Sequence, residues 1–272
     1  MKAGVRLRKS GIRCLPVVSL VGSVLFLTAA IGVPAALTAQ TTADNPAFAR
    51  KNTFSVFSAY SNDSSHILMG IADNRRLLDF GVSYGRRLFA GRIVNWQYNG
   101  EILPVALNSD PVQVINETTT VKYTNGMPTE TLSGSYQEPT LSACRDSTST
   151  RTYPIKNGTV TTVDVDTCSR RWVIGEGMSP AGFQWNFMPR HKMQPFLIGH
   201  GGYMYSTQPI PVENAGSFNF TFDFGAGVEL YRSTSRSIRA EYRYHHISNH
   251  DTAQQNPGID NGVFQVTYSF GR

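Results

Sequence analysis

After residue 39 the chain has no long apolar run, and it has little else that would mark a nucleic-acid, metal or disulfide-scaffold protein. Cysteine is scarce: of three, Cys14 precedes the N-terminal apolar segment, which leaves Cys144 and Cys168. Two thiols in an oxidising compartment predict one structural disulfide, because a metal centre needs more ligands nearby than that segment offers. His66, His191, His200 and His250 show no metal-ligand spacing, and no internal repeat of roughly 20 to 50 residues is visible. The basic excess is also local. The formal charge of +6 falls to +1 once the five cations of residues 1–39 (Lys2, Arg6, Arg8, Lys9 and Arg13) are set aside, so no nucleic-acid partner follows from the pI near 9.3.

Those cations precede an apolar stretch from about Leu15 to Val33, followed by Ala35, Ala36 and Ala39. This is the pattern of a cleaved secretory signal peptide over residues 1–39, with the cut expected at Ala39-Gln40. Cys14 lies before the apolar core rather than at its end, which argues against a lipoprotein anchor. The remainder, 40–272, is then an exported domain.

What the exported part has in quantity is two-residue alternation. From Phe218 to Leu230 every even position is apolar, and the odd ones are Asn219, Thr221, Asp223, glycine or Glu229. The same rhythm runs through Leu78-Phe80-Val82-Tyr84, Val94-Trp96-Tyr98, Phe183-Trp185-Phe187 and Phe264-Val266-Tyr268-Phe270. A period of two is that of a strand, and aromatic rows on one face are those of a lipid-facing wall. The pattern predicts eight strands, at about 53–61, 77–89, 92–107, 181–189, 194–206, 216–231, 236–248 and 262–270. Short connections alternate with long ones, and 108–180 reads as a long surface loop with a hairpin around Asn157-Gly158. The expected fold is therefore all-β: an eight-stranded antiparallel transmembrane β-barrel of the outer-membrane type. A soluble barrel or sandwich would share the alternation; the aromatic content of the outer face, the terminal Phe270 and the export segment favour the membrane.

One stretch carries chemistry. In Tyr242-Arg-Tyr-His-His-Ile-Ser-Asn249, alternation puts His246 and Ser248 on one face with Tyr242 and Tyr244, while Arg239, Glu241, Arg243 and His245 take the other. Asp260 follows across the next loop, in parity with Phe264 and Val266. A serine hydroxyl becomes a nucleophile when a histidine can take its proton and a carboxylate orients the ring, so Ser248, His246 and Asp260 are the candidate catalytic set, with no metal or cofactor required. Asn249 and Asn256 could donate to an oxyanion. His245 is the rival histidine, but its parity sends it to the lumen and a structural network. Each piece has an ordinary reading as well: rim polar residues, a loop Asn-Pro-Gly, an aspartate capping a turn. The Arg75-Arg76, Arg86-Arg87 and Arg170-Arg171 pairs could hold lipid phosphates, although solvated turn charges account for them.

His246-Ile-Ser248-Asn249, followed by Asn256-Pro-Gly258-Ile-Asp260, resembles the pattern of the PagL-type lipid A 3-O-deacylases, eight-stranded outer-membrane barrels: His-x-Ser-Asn, then an Asn shortly before Gly-x-Glu. The resemblance implies a triad of His246, Ser248 and Asp260, oxyanion groups at Asn249 and Asn256, and lipid A or lipopolysaccharide in the outer membrane as substrate. Two departures stand out: Asp260 replaces the family's glutamate, and Asp251 stands where the family has a small residue. The competing reading is a non-enzymatic small barrel serving as a surface-binding or structural protein through its 108–180 segment. A diffusion porin is disfavoured, since eight strands leave a lumen just wide enough for side chains. The sequence does not fix an oligomeric state.

Overall fold

The computed structural model describes residues 48–272. The signal-peptide reading of residues 1–39 lies outside the described residues. Ten strands run in chain order: β1 (Asn52–Ser61), β2 (Arg76–Ala90), β3 (Val94–Tyr123), β4 (Glu130–Pro139), β5 (Ser147–Ile155), β6 (Gly158–Phe187), β7 (Met193–Ser206), β8 (Phe218–Ser233), β9 (Arg236–Ser248) and β10 (Ile259–Gly271). Each is antiparallel to its neighbours. Eight of them close a ring in the order β3-β2-β1-β10-β9-β8-β7-β6, sealed by a β3–β6 pairing that begins at Val94↔Phe187. All eight strands read from the alternation are in this ring.

The wall is inside out relative to a soluble protein. Phe54, Phe222 and Phe264 are each about half exposed, whereas Glu101, Gln184, Arg239 and Gln265 are buried within the ring. Aromatic rows such as Trp96–Trp185, stacked at 6.5 Å, and Phe54–Phe270, at 6.2 Å, line the outside. An apolar exterior around a polar, side-chain-filled interior is the solution a bilayer imposes, because every backbone group must be paired within a closed ladder. Toward the end with the longer connections, a small apolar cluster that includes Ala72, Leu77, Ile210, Ile247 and Ile259 is buried.

The segment 108–180, expected as a long surface loop with one hairpin, is more regular than that. β3 and β6 continue beyond the ring, paired as far as Tyr123↔Gly158, and β4 and β5 add to their outer edges, giving the sheet order β4-β3-β6-β5. The reason is in the side chains. Ser, Thr and Asp look like loop composition, but runs such as Thr118-Thr-Thr-Val121 and Val160-Thr-Thr-Val163 are β-branched and favour extended backbone. The hairpin at Asn157-Gly158 does form, with Ile155 opposite Gly158. Gly158 is needed there, since a Cβ would come 2.1 Å from the Lys122 carbonyl oxygen. Cys144 and Cys168 are joined, with their Cα atoms 5.7 Å apart, and tie the β4–β5 connection to β6.

Candidate active site

The site lies where β9 ends and β10 begins. Alternation along β9 places Tyr244, His246 and Ser248 on the outer side, and the ladder sets Asp260 directly opposite His246. The expected strand start was 262, but pairing begins at Ile259, and this answers the question raised by the short acid. Residues directly opposite in an antiparallel pair stand about 4.5–5.5 Å apart at Cα, so an aspartate reaches without a loop having to carry it in. Asp260 Oδ1 lies 2.6 Å from His246 Nδ1 and accepts the Tyr244 hydroxyl at 2.8 Å. Its Oδ2 accepts the Leu68 and Met69 N–H groups at 2.7 and 2.9 Å. The carboxylate is fully buried, and four donors fix its plane.

Since Nδ1 of His246 faces the acid, Nε2 is the nitrogen left for chemistry. It has no hydrogen-bond partner among the described residues. Ser248 is half-buried, two residues further along the same face, a rise of about 6.8 Å. No hydrogen bond joins its Oγ to His246 among the described residues; such contacts are often long before substrate binds. The structure thus brings His246 and Asp260 together and sets Ser248 nearby on the same side. Phe222 and Phe220 stand opposite His246 and Ser248 on β8, so the polar pair sits within an aromatic, lipid-facing row.

The two asparagines are not equivalent. Asn249 gives its side-chain N–H groups to the Ala215 carbonyl and, at 2.6 Å, to that of Gln255, while its Oδ1 accepts the Asp251 N–H at 2.9 Å. It is buried and its amide is spent on holding the 249–258 connection, so in this arrangement it has no donor left for an oxyanion. Asn256 is exposed, and its Oδ1 accepts the Asn249 N–H at 3.2 Å, which leaves its NH₂ group without a partner among the described residues. The connection reverses sharply after Asn249, with His250 and Asp251 both left-handed at φ 51° and 60°. Asp251, the departure from the small residue, tolerates that conformation better than most side chains.

Sequence reasoning missed two contributors. Tyr244 shares the face of His246, but parity alone did not give it a partner. The connection between β1 and β2, one of the longer ones in the alternation pattern, folds back over Asp260. Arg75 anchors its base, with its guanidinium bonded to the carbonyls of Asp73, Thr140 and Leu141. Burial pushes that group down to about 10, with Asp110 and Asp73 opposing the shift, so it stays a cation at neutral pH. The available signal was Gly70 within an apolar loop run, Ile67-Leu-Met-Gly-Ile71.

The inner face of β9 carries the rival set. Arg243 binds Glu101 at 2.9 and 3.0 Å, Glu241 at 2.9 Å and Asp223 at 3.3 Å, and His200 Nδ1 lies 2.9 Å from Asp223. Glu101, His200 and Asp223 are close enough to share a metal ion. The Arg243 guanidinium already supplies the positive charge between these carboxylates. His245 borders this interior, with Nδ1 4.0 Å from Asp223, in keeping with the network its parity implied.

The model of the lipid A 3-O-deacylase (PagL) family matches residues 131–269, about half of the chain, including His246, Ser248 and Asp260. Among solved structures, the outer membrane enzyme PagL is similar at 12% identity, over 80% of this chain and 99% of its own, with a TM-score of 0.42. Neisserial surface protein A is similar at 10% identity, over 82% and 97%, with a TM-score of 0.41. LpxR from Salmonella typhimurium aligns at 7% identity, over 81% and 100%, with a TM-score of 0.23. No curated protein matches.

Proposed function

Because this chain belongs to the lipid A 3-O-deacylase family, we propose that it is an outer-membrane esterase that removes an ester-linked acyl chain from lipid A or a closely related glycolipid, with Ser248 as nucleophile. The observation that supports this most is the His246–Asp260 pair on the lipid-facing side. Its ring is oriented through Nδ1, Nε2 is free, and a serine lies two residues away on the same face.

In this reading His246 Nε2 takes the Ser248 proton as Oγ adds to the ester carbonyl. Asp260 holds the tautomer and stabilises the imidazolium; Tyr244 and the Leu68 and Met69 N–H groups hold Asp260. The oxyanion is met by the NH₂ of Asn256, whose amide is turned outward by the Asn249 N–H, so Asn249 acts as a positioning residue. Collapse of the tetrahedral adduct breaks the bond to the sugar oxygen, which leaves with the proton from His246. Water, deprotonated by His246, then splits the acyl-serine, and the fatty acid departs. An outward-facing site suits a substrate that never leaves the leaflet, since the ester can slide to Ser248 while its chains stay in lipid.

Mass spectrometry of lipid A from cells expressing the wild type and Ser248→Ala tests the reading. The wild type should produce a species lighter by one ester-linked acyl group, and Ser248→Ala should not. An identical deacylated species from both excludes Ser248 as nucleophile.

A further inference from the structure

The connection between β1 and β2 combines two properties that rarely coincide. Ile67, Leu68, Met69 and Ile71 are all exposed, Leu68 at 66%. Yet the backbone beneath them is fixed. The Ser65 N–H binds the Asp260 carbonyl at 3.1 Å, Ile71 binds Pro257 at 2.8 Å and Ala72 binds Gly258 at 3.2 Å. Between these ties, the Leu68 and Met69 N–H groups reach Asp260 Oδ2. A fixed apolar surface on the lipid side of a barrel is stable when what it meets is hydrocarbon.

Two glycines allow the approach. A Cβ on Gly70 would come 2.6 Å from the Asp260 nitrogen. One on Gly258, at φ +61°, would come 3.1 Å from His246 Cε1 and 3.3 Å from Gly70 Cα. The strap therefore passes beside the imidazole, while Phe220 and Phe222 flank Ser248 and His246 from β8.

Resting on the deacylase reading, we propose that residues 66–71 form one wall of the acyl-chain subsite, through Leu68 and Met69 and opposite Phe220 and Phe222, and that the same strap positions Asp260 through its backbone. The occupant is the acyl chain of the ester being cut. A carbonyl placed at Ser248 has its tail on this apolar side, and the wall is continuous with the lipid-facing rows. Chain recognition and placement of the acid then reside in one segment.

The test uses the full-length protein reconstituted in vesicles, with nitrophenyl butyrate and nitrophenyl laurate as probes. Leu68→Ala/Met69→Ala should lower the laurate-to-butyrate ratio of kcat/KM roughly tenfold or more, as expected for lost hydrocarbon contact. Gly70→Ala should push the strap off Asp260, lowering kcat on both esters together and moving the pH profile of kcat/KM, with the ratio kept. Where Gly70→Ala does not fold, judged by heat-modifiable migration, Met69→Pro removes one donor to Asp260 and replaces it. An unchanged ratio in the double variant overturns the wall. A wild-type kcat without the strap contact overturns the positioning. Ser248→Ala run alongside separates the two levels: if it stays active the deacylase reading fails, and if it is inactive while the strap variants match wild type, only the strap proposal fails.

Discussion

Strand β9 carries adjacent histidines on opposite faces, and each has a carboxylate in reach. His245 turns inward toward Asp223, whose charge is shared with His200 and Arg243. His246 turns outward to Asp260, which no guanidinium touches among the described residues, only neutral donors and the imidazole. His200 has both ring nitrogens engaged, with Nε2 3.4 Å from Asn99 Oδ1, while His246 keeps Nε2 open. A histidine–carboxylate contact by itself therefore says little. A charge-saturated interior pair holds a barrel together, and an oriented pair with one free nitrogen beside a hydroxyl can move a proton.

The sharpest way to break this comparison is to exchange which histidine is lost. His246→Ala and Asp260→Asn should each lower deacylation by about three to four orders of magnitude with the barrel still heat-modifiable, because the proton acceptor or its tautomer is gone. His245→Ala should keep activity within a few-fold. Loss of activity in His245→Ala at unchanged folding would reverse the assignment of faces.

Arg243→Met should show the opposite profile. It leaves Glu101, Glu241 and Asp223 facing one another without their cation, a loss of about 3–5 kcal/mol in barrel stability by the usual measure of breaking a buried ion pair. Denaturant midpoints of the folded-to-unfolded gel shift read this. A midpoint equal to wild type would mean the interior network is dispensable.

Tyr244→Phe removes one of four donors to Asp260 and should slow turnover by about ten- to a hundredfold, in line with about 1.5–3 kcal/mol for a hydrogen bond to a charged group. KM for a soluble ester should hardly move. The smallest effect on the ring is expected from Cys144→Ser/Cys168→Ser, which should speed hydrogen exchange in β4 and β5 while the ring strands keep their protection, since the closed ladder does not depend on that link.

The ring was legible in the sequence because a lipid-facing strand must show its alternation. Phe218 to Leu230 could not be hidden as a helix or a buried core strand. The sheet formed by β4, β5 and the outer halves of β3 and β6 was not legible, because its Ser and Thr are at once turn-like in polarity and strand-like at Cβ, and composition favoured the first. At the site, the shared facing of His246 and Asp260 followed from parity, whereas the pairing that sets them directly opposite begins at Ile259, ahead of the expected strand start at 262. The engagement of the Asn249 amide was not legible, because an amide's spare donors depend on which carbonyls lie around it, here Ala215 and Gln255, which no local pattern reveals. The strap over Asp260 joins residues some 190 positions apart, and only the closed ring brings them together.

The central claim is that the outward histidine activates Ser248. A long-chain fluorophosphonate applied to the reconstituted protein, with the labelled residue located by peptide mass spectrometry, tests it most directly. The account predicts label on Ser248, abolished by His246→Ala and retained in His245→Ala. Label at another residue, or undiminished labelling of Ser248 in His246→Ala, would contradict it.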